Sequence, residues 1–211
     1  LCDGVHCQAY HNMLRHTPSI NTAVKATTGM VMVDNRNSLI TSYFSANCGG
    51  QTCDAAFVWN TSVPYVESFI DTFCIHTKQA TWEKKVSKSQ WDNYLNKEFG
   101  FDRLPIGTSD QRYSFIQDDR KAFYIHPSLG VPLRDLRQKF NLKSTFFSTS
   151  LVGDEVVIKG RGFGHGVGLC QEGAMNMAKS GFTYEQIALF YFSNVSIIDY
   201  YRGQFFNQQE D

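Results

Sequence analysis

The sequence lacks a cluster of basic residues and any long apolar run. Its 20 Lys and Arg are balanced by 20 Asp and Glu, so the formal net charge is zero. Because no Lys/Arg run is available to neutralise phosphates, a nucleic-acid partner is not expected. The longest apolar stretch, around 187–192, is much shorter than the roughly 20 residues that cross a bilayer. We therefore expect no transmembrane segment in these residues.

Intrinsic disorder is excluded by what the sequence does contain. Apolar residues make up 42% of the 211, with 17 Phe and 10 Tyr, whereas disorder requires low hydrophobicity and high net charge. The length is ample for a hydrophobic core. The sequence starts Leu1-Cys2-Asp3, without a methionine or a leader-like pattern, and we expect it to be a processed or trimmed piece of a longer precursor.

Apolar periodicity and turn residues predict a mixture of strands and helices without regular βαβ alternation, which is typical of an α+β fold. A hairpin is expected at 24–44, with strands 24–33 and 39–44 around a polar turn at 34–37. Further strands are predicted at 113–124 and 155–159, and helices at 81–99, 132–140, 169–179 and 183–192. We expect residues 1–211 to form one domain.

The strongest local signal is a run in which glycine occupies every second position from Gly160 to Gly168. In an extended segment alternate residues share a face, so one face would be bare and the other would carry side chains that include His165. The spacing does not fit a phosphate-binding loop or a dinucleotide fingerprint. Two interpretations remain: a bare face that a ligand approaches, or one that allows tight packing within the chain.

The glycine run belongs to a longer pattern. GRGFGHGVGLCQEGAMNMAKSG at 160–181, followed by TYEQIALFYFSNVSI at 183–197, resembles the C-terminal signature of the SpoIID/LytB family. Earlier motifs occur in the order that the family shows, and the resemblance covers nearly the whole chain. These motifs include Cys7-Gln8-Ala9-Tyr10, Ala46-Asn47-Cys48-Gly49-Gly50-Gln51-Thr52, Trp59, Asp71 and Leu133-Arg134.

This resemblance implies a SpoIID-type domain with a groove lined by the glycine strand. It implies a lytic transglycosylase that cleaves between N-acetylmuramic acid and N-acetylglucosamine in glycan strands stripped of stem peptides, leaving 1,6-anhydromuramoyl ends. A carboxylic acid would protonate the glycosidic oxygen and then help the 6-hydroxyl to close the ring. The substrate-binding residues that the resemblance implies are His165, Tyr10, Gly164, Gly166 and Gln171.

The catalytic residue itself is missing from the pattern. The family's catalytic Glu lies N-terminal to the motif that starts at Cys7, and residues 1–6 contain no Glu. We expect the acid upstream of Leu1, so that these residues alone are inactive. Glu172 stands where many family members carry Trp, and we expect a surface helix residue there rather than a relocated acid. The alternative function is a non-catalytic module that binds glycan or modulates a cell-wall amidase.

Cys2, His6 and Cys7 offer three zinc ligands within six residues. They are similar to a Cys…His-Cys cluster of some clostridial SpoIID proteins, which implies a structural Zn²⁺. Four ligands are usual at such a site, so the fourth is expected before Leu1 or at His11. A Cys2–Cys7 disulfide or two free thiols remain open alternatives.

The other cysteines allow more than one pairing. Cys48 and Cys53 bracket a four-residue loop and could form a disulfide, with Cys74 as a competing partner. Cys170 is expected to be a small buried residue. The resemblance also implies an exported protein, periplasmic, at the cell surface or anchored to the membrane through a segment outside this chain. Its implied partners are peptidoglycan glycan strands and a cell-wall amidase.

Overall fold

The structure, a computed structural model, describes residues 17–103 and 112–201. The chain divides into two compact units, one of residues 1–39 with 196–211 and one of residues 40–195. Within the described ranges, none of the helices has both the length and the apolar character needed to cross a bilayer.

Helices and strands are mixed along the chain, which confirms the predicted α+β class. The helices within 17–103 and 112–201 are α1 (Pro18–Ala26), α2 (Ala55–Trp59), α3 (Lys88–Phe99), α4 (Leu133–Lys139), α5 (Gln171–Lys179) and α6 (Tyr184–Tyr191). The strands in the same ranges are β1 (Met30–Asp34), β2 (Phe44–Ser45), β3 (Thr81–Ser87), β4 (Phe147–Val152), β5 (Glu155–Arg161), β6 (Leu169–Cys170) and β7 (Val195–Asp199).

The smaller unit contains α1, β1 and most of β7, and its strands β1 and β7 pair. The predicted strand 24–33 is wrong in its first half, where the chain is helical. Thr17 caps α1 by accepting a hydrogen bond from the Ile20 N–H, and Pro18 occupies the first turn, where its missing N–H costs nothing. The strand begins only after the break at Gly29.

The polar turn at 34–37 is confirmed. The carboxylate of Asp34 accepts hydrogen bonds from the backbone N–H groups of Arg36 and Ser38, both at 2.9 Å. The returning strand predicted at 39–44 is largely absent, because only an isolated bridge between Val33 and Leu39 follows the turn. The expected hairpin is therefore reduced to its turn and one pair of residues.

The larger unit is organised by a three-stranded antiparallel sheet with β5 between β3 and β4. Gly160 on β5 lies opposite both Trp82 and Phe147. A β-carbon on Gly160 would lie 2.0 Å from the indole of Trp82, so this glycine makes room for the ring. The main hydrophobic core of this unit also contains Trp91, Leu95, Phe101, Tyr113, Phe115, Tyr124, Leu133, Leu136 and Ile158.

The helix predicted at 81–99 is a strand followed by a helix. Trp82 and Val86 are buried on one face of β3, and a four-residue spacing places side chains on one face in a strand as well as in a helix. Ser87 then caps α3, because its hydroxyl accepts a hydrogen bond from the Gln90 N–H. The helix ends at Gly100, whose φ of +58° suits glycine.

The strand predicted at 113–124 is also wrong. The described residues of this stretch form only isolated bridges: Phe115 pairs with Thr149 through two backbone hydrogen bonds, and Phe123 pairs with Pro132. The side-chain amide of Gln117 donates to the carbonyls of Thr145 and Phe147 in place of a backbone ladder. A polar side chain thus satisfies carbonyls that a regular strand would have paired with its own backbone.

The remaining predictions near the C-terminus are confirmed. Strand β5 covers 155–159, α4 lies within 132–140, and α5 lies within 169–179. Thr183 and Gln186 form the predicted capping box at the start of α6. Gly181 follows α5 with a φ of +92°, as expected for a helix C-terminal glycine.

Candidate functional site

The glycine run leaves the sheet at Arg161 and is not an extended strand beyond it. Gly162, Gly164, Gly166 and Gly168 all have positive φ, of +77°, +112°, +79° and +70°. L-residues rarely adopt this region, so the two-residue glycine period reflects a backbone that turns at every second position. The extended geometry predicted from the spacing is therefore wrong after Arg161.

The glycines face other parts of the chain. A β-carbon on Gly162 would lie 2.6 Å from the carbonyl oxygen of Asn47, and one on Gly168 would lie 2.2 Å from that of Tyr43. At Gly164 the β-carbon would meet Ser45, and at Gly166 the guanidinium of Arg120. Tight packing within the chain accounts for these four glycines, and the described residues show no open groove floored by them.

Backbone hydrogen bonds join the glycine run to residues 43–53. Asn47 and Phe163 exchange two of them, at 3.1 and 2.8 Å. Strands β2 and β6 then pair in parallel, with Ser45 opposite Cys170. The Cys53 N–H donates to the Gly166 carbonyl at 2.9 Å. This pairing brings together His165, the start of α5 and the loop of residues 46–53, which we call the Cys48 loop.

Arg120 fills the space beside Gly166. Its guanidinium is nearly fully buried, donates to the carbonyl oxygens of Cys48 at 2.6 Å and Gln51 at 2.8 Å, and lies 4.7 Å from the centre of the Phe146 ring. No acidic side chain in the described part of the chain forms an ion pair with it. Its positive charge therefore contributes to the field around the glycine run.

His165 is neutral in this environment. Burial, with the positive charges of Arg137 and Arg120, lowers the pKa of His165 to about 4. Its Nδ1 accepts a hydrogen bond from the Val167 N–H at 3.0 Å, which assigns the ring proton to Nε2. A neutral imidazole held in this way orients neighbouring groups and is a poor proton donor near pH 7.

An exposed aromatic cluster adjoins His165. The Trp59 ring packs against Tyr43, with centroids 4.7 Å apart, and against His165 at 5.2 Å. Even so, 41% of Trp59 remains exposed. It borders a cleft of about 690 Å³ that is also lined by Arg134 and Arg137 of α4. Larger or similar clefts lie on the sheet and beside α3, but neither has an exposed tryptophan.

Glu172 is half-buried and hydrogen-bonded, so the prediction of a plain surface residue is wrong. Its Oε2 accepts hydrogen bonds from the Asn47 amide at 2.8 Å, from the Thr77 hydroxyl, and from the Gln79 N–H at 3.4 Å. Asn47 is fully buried and also donates to the Cys74 carbonyl at 3.2 Å. The carboxylate therefore ties the start of α5 to two loops.

Three thiols and a carboxylate lie close together next to Asn47. Cys48, Asp71, Cys74 and Cys170 are all fully buried, and their ligand atoms lie within 4.8 Å of one another. This group could hold a metal ion. The Cys48 and Cys74 sulfurs are 3.4 Å apart, whereas Cys53 is outside the group, so Cys48 faces the competing partner. The four cysteines in the described ranges are free thiols.

Hydrogen bonding within the group favours one thiolate, on Cys74, whereas the neighbouring sulfurs and burial raise the pKa of the Cys48 and Cys170 thiols. Hydrogen bonds from the Cys170 and Cys48 thiols, together with the Gly50 N–H, lower the pKa of Cys74 to about 3. Burial raises the pKa of Asp71, and the charge on Cys74 raises it further. A thiolate and a carboxyl group thus compete for ionisation in one buried group.

The predicted site residues divide into two sets. Gly164, Gly166 and His165 lie in the glycine run, and Gln171 is exposed at the first position of α5. The predicted metal ligands Cys2, His6 and Cys7, and the predicted substrate residue Tyr10, lie outside the described residues.

The neighbours of Trp59, Asp71 and Cys74 do not follow from the sequence pattern. In the sequence, each of the three is only a motif position or a possible disulfide partner. Their roles depend on neighbours distant in sequence, for which the local pattern gives no signal. Arg120 stands in no recognised motif at all.

Known proteins resemble this chain over most of its length. An uncharacterized protein of Brachyspira hyodysenteriae is 30% identical over 92% of the chain and 53% of its own length. Stage II sporulation protein D of Bacillus subtilis is 28% identical over 84% of the chain and 50% of its own length. The amidase enhancer of Bacillus subtilis is 28% identical over 85% of the chain and 32% of its own length.

The chain thus spans about half the length, or less, of these curated relatives. No protein-family model matches it. Two of these relatives carry names that fit the family implied by the sequence pattern. The predicted resemblance is confirmed: the chain is a homologue of proteins named stage II sporulation protein D and amidase enhancer.

Proposed function

We propose that this chain is the glycan-binding part of a peptidoglycan lytic transglycosylase. The substrate would be glycan strands without stem peptides, cut between N-acetylmuramic acid and N-acetylglucosamine to leave 1,6-anhydromuramoyl ends. Relatives named stage II sporulation protein D and amidase enhancer support a role at the cell wall. Such a role requires export, to the periplasm or the cell surface.

The observation that carries this proposal is the exposed Trp59 ring beside two arginines. Sugar rings present flat C–H faces that pack on aromatic rings. Contacts with Tyr43 and His165 hold the Trp59 ring, and this supports the proposal. Removal of the stem peptide leaves a lactyl carboxylate on each muramic acid. Arg134 and Arg137 line the same cleft together with Asp135, whose carboxylate lies 3.6 Å from the Arg134 guanidinium, so one positive charge remains in excess. Guanidinium groups bind carboxylates through paired hydrogen bonds.

The catalytic acid in this proposal comes from the segment that precedes Cys7, where the family resemblance puts it. His165 would hold the sugar in place rather than protonate it, since its pKa is lowered to about 4. Glu172 is held on one oxygen by donors from Asn47, Thr77 and Gln79. It serves to hold the site together, and a relocated acid is not needed.

The N-terminal cysteines and histidine have a structural role in this proposal. Cys2, His6 and Cys7 would bind one Zn²⁺, with a fourth ligand from His11 or from a preceding residue. Thiolate and imidazole are ligands that zinc prefers, and four of them close a structural site. Such a site would hold the segment that carries the acid next to Tyr10.

A second function is favoured by one relative's name. One Bacillus subtilis homologue is called an amidase enhancer. In addition, the pattern at 160–181 does not offer the free acid that cleavage requires, since Glu172 within it is hydrogen-bonded. On this alternative the chain binds glycan and modulates a cell-wall amidase without cutting the strand.

Replacing Trp59 by alanine should weaken glycan binding about tenfold, which corresponds to roughly 1.4 kcal/mol. The change removes the exposed ring and leaves Arg134 and Arg137 in place. Isothermal titration with purified peptide-free glycan strands measures the effect. Tyr184→Ala is the matched control, because Tyr184 is 45% exposed at the start of α6. Equal affinities for both variants and the parent would contradict the placement of the sugar.

Product analysis separates the two functions. A chain extended by the native residues before Leu1 should release 1,6-anhydromuramoyl fragments from peptide-free strands, detected by mass spectrometry. Residues 1–211 alone should release them ~10²–10⁴-fold more slowly, the usual contribution of a general acid. Glu172→Gln in the longer chain should retain cleavage, because the amide keeps one oxygen as an acceptor. Binding without products in the longer chain would favour the amidase-modulating alternative.

A further inference from the structure

We propose that Cys48, Asp71, Cys74 and Cys170 form a second, structural zinc site, with three thiolates and one carboxylate as ligands. All four residues belong to the larger unit and come from three separate segments. These are the loop after β2, the 3₁₀ turn Thr72–Cys74 with its cap Asp71, and the residue that caps α5. The proposal does not depend on the enzymatic function and does not involve Cys2, His6 or Cys7.

The distances fit a tetrahedral ion. Two thiolates bound to one Zn²⁺ lie about 3.8 Å apart, given Zn–S bonds of about 2.3 Å. The Cys48 and Cys74 sulfurs are separated by 3.4 Å, and the Cys48 sulfur lies 3.2 Å from Asp71 Oδ2. All four ligand atoms lie within 4.8 Å of one another, so a small outward adjustment would admit the ion.

A cation would compensate the buried ligand atoms of this group in their ionised forms. Asp71 and the three thiols are fully buried, and a buried carboxylate without a positive partner is costly. No Lys or Arg in residues 17–103 and 112–201 forms an ion pair with Asp71. A divalent cation would neutralise two of the ligand charges and displace protons from the thiols.

The surroundings of the ligands resemble those of metal sites. The backbone N–H groups of Cys48 and Gly173 donate to the Cys170 sulfur, at 3.3 and 3.4 Å. The Tyr191 hydroxyl donates to Asp71 Oδ2 at 2.9 Å, and the Phe73 N–H donates to Oδ1 at 2.9 Å. Such outer hydrogen bonds fix the orientation of ligands and stabilise their negative charge.

A disulfide between Cys48 and Cys74 explains less of this arrangement. It would use two of the four groups and leave the Asp71 carboxylate and the Cys170 thiol buried beside it. Zinc is favoured over calcium and magnesium because those ions prefer oxygen ligands, whereas thiolates select zinc. The site would hold the Cys48 loop against α5, next to the Asn47–Glu172 hydrogen bond.

Zinc content tests the proposal when the N-terminal cluster has been removed. The full chain with Cys2→Ser and Cys7→Ser, purified without added metal, should contain about one equivalent of zinc by mass spectrometry of the metal. Adding Cys74→Ser should reduce this to less than about a tenth of an equivalent. Adding Cys53→Ser is the matched control and should retain the metal, because Cys53 is a buried free thiol outside the group.

A spectroscopic measurement tests the site without relying on the folding of the Cys74→Ser variant. The Cys2→Ser, Cys7→Ser chain reloaded with Co²⁺ should show thiolate-to-cobalt charge transfer and the intense visible bands of tetrahedral cobalt. Less than a tenth of an equivalent of zinc in this chain would overturn the proposal. So would a Cys48–Cys74 disulfide, seen as a mass loss of two hydrogens and a cross-linked peptide, or iron bound in place of zinc.

Discussion

Gly168→Ala should destabilise the chain by more than about 4 kcal/mol, a large part of the roughly 5–15 kcal/mol that stabilises a folded domain. The new β-carbon would lie 2.2 Å from the Tyr43 carbonyl oxygen. This oxygen also accepts the Leu169 N–H at 2.9 Å, so it cannot move away without breaking the pairing of β2 and β6. We expect little soluble protein and, in what remains, a strongly lowered urea midpoint.

Gly153→Ala is the matched control for this change. Gly153 has a similar φ of +59°, but a β-carbon there would meet nothing within 4 Å. It should cost only the roughly 1–2 kcal/mol of placing an L-residue in the left-handed region. Equal urea midpoints for the two variants would show that backbone conformation, and not the contact with Tyr43, explains the glycine at 168.

The stability of the protein should fall by about 3 kcal/mol as the pH is lowered from 6.5 to 4. The ordinary pKa of a histidine is near 6.5, and burial together with Arg137 and Arg120 lowers that of His165 to about 4. Between these values the unfolded chain takes up a proton and the folded chain does not, so acid favours unfolding. The contribution of His165 to the free energy of unfolding has its full value above pH 6.5 and no longer changes with pH below 4.

Urea unfolding at a series of pH values measures this effect. His165→Gln should flatten the pH dependence between 4 and 6.5, since the amide does not titrate. His76→Gln is the matched control, because it makes the same substitution at an exposed position outside the site. A slope that survives in the His165→Gln variant would assign the acid sensitivity to other groups.

Local sequence signals predicted the elements that have their own start and stop residues. The capping box at Thr183 and the glycine after α5 gave α5 and α6 correctly. Spacing alone misled at Trp82 and Val86, because four residues apart fits both a strand and a helix. It also misled at 24–33, where Thr17 and Pro18 start a helix although Val24 favours a strand.

Local sequence patterns predicted the candidate site only in part. The glycine run was recognised as the centre of the site, and His165 lies within it. Its conformation could not be read from the spacing, because alternating glycines are compatible both with an extended strand and with repeated positive φ. Which groups meet His165, Glu172 and Cys48 depends on pairings over long distances in sequence, and a single sequence does not record them.

The long sequence separation within the site also sets the order in which it can assemble. Cys48 and Cys170 are 122 positions apart, and Asn47 and Glu172 are 125 apart. During synthesis from the N-terminus, residues 43–53 remain without their pairing partners until residues 160–172 have been made. Contacts of this range also form slowly. The thiols of Cys48 and Cys74, only 26 positions apart, meet earlier. If Cys48 and Cys74 are oxidised to a disulfide before α5 has been synthesised, the four-residue group cannot form, and Cys170 remains outside it.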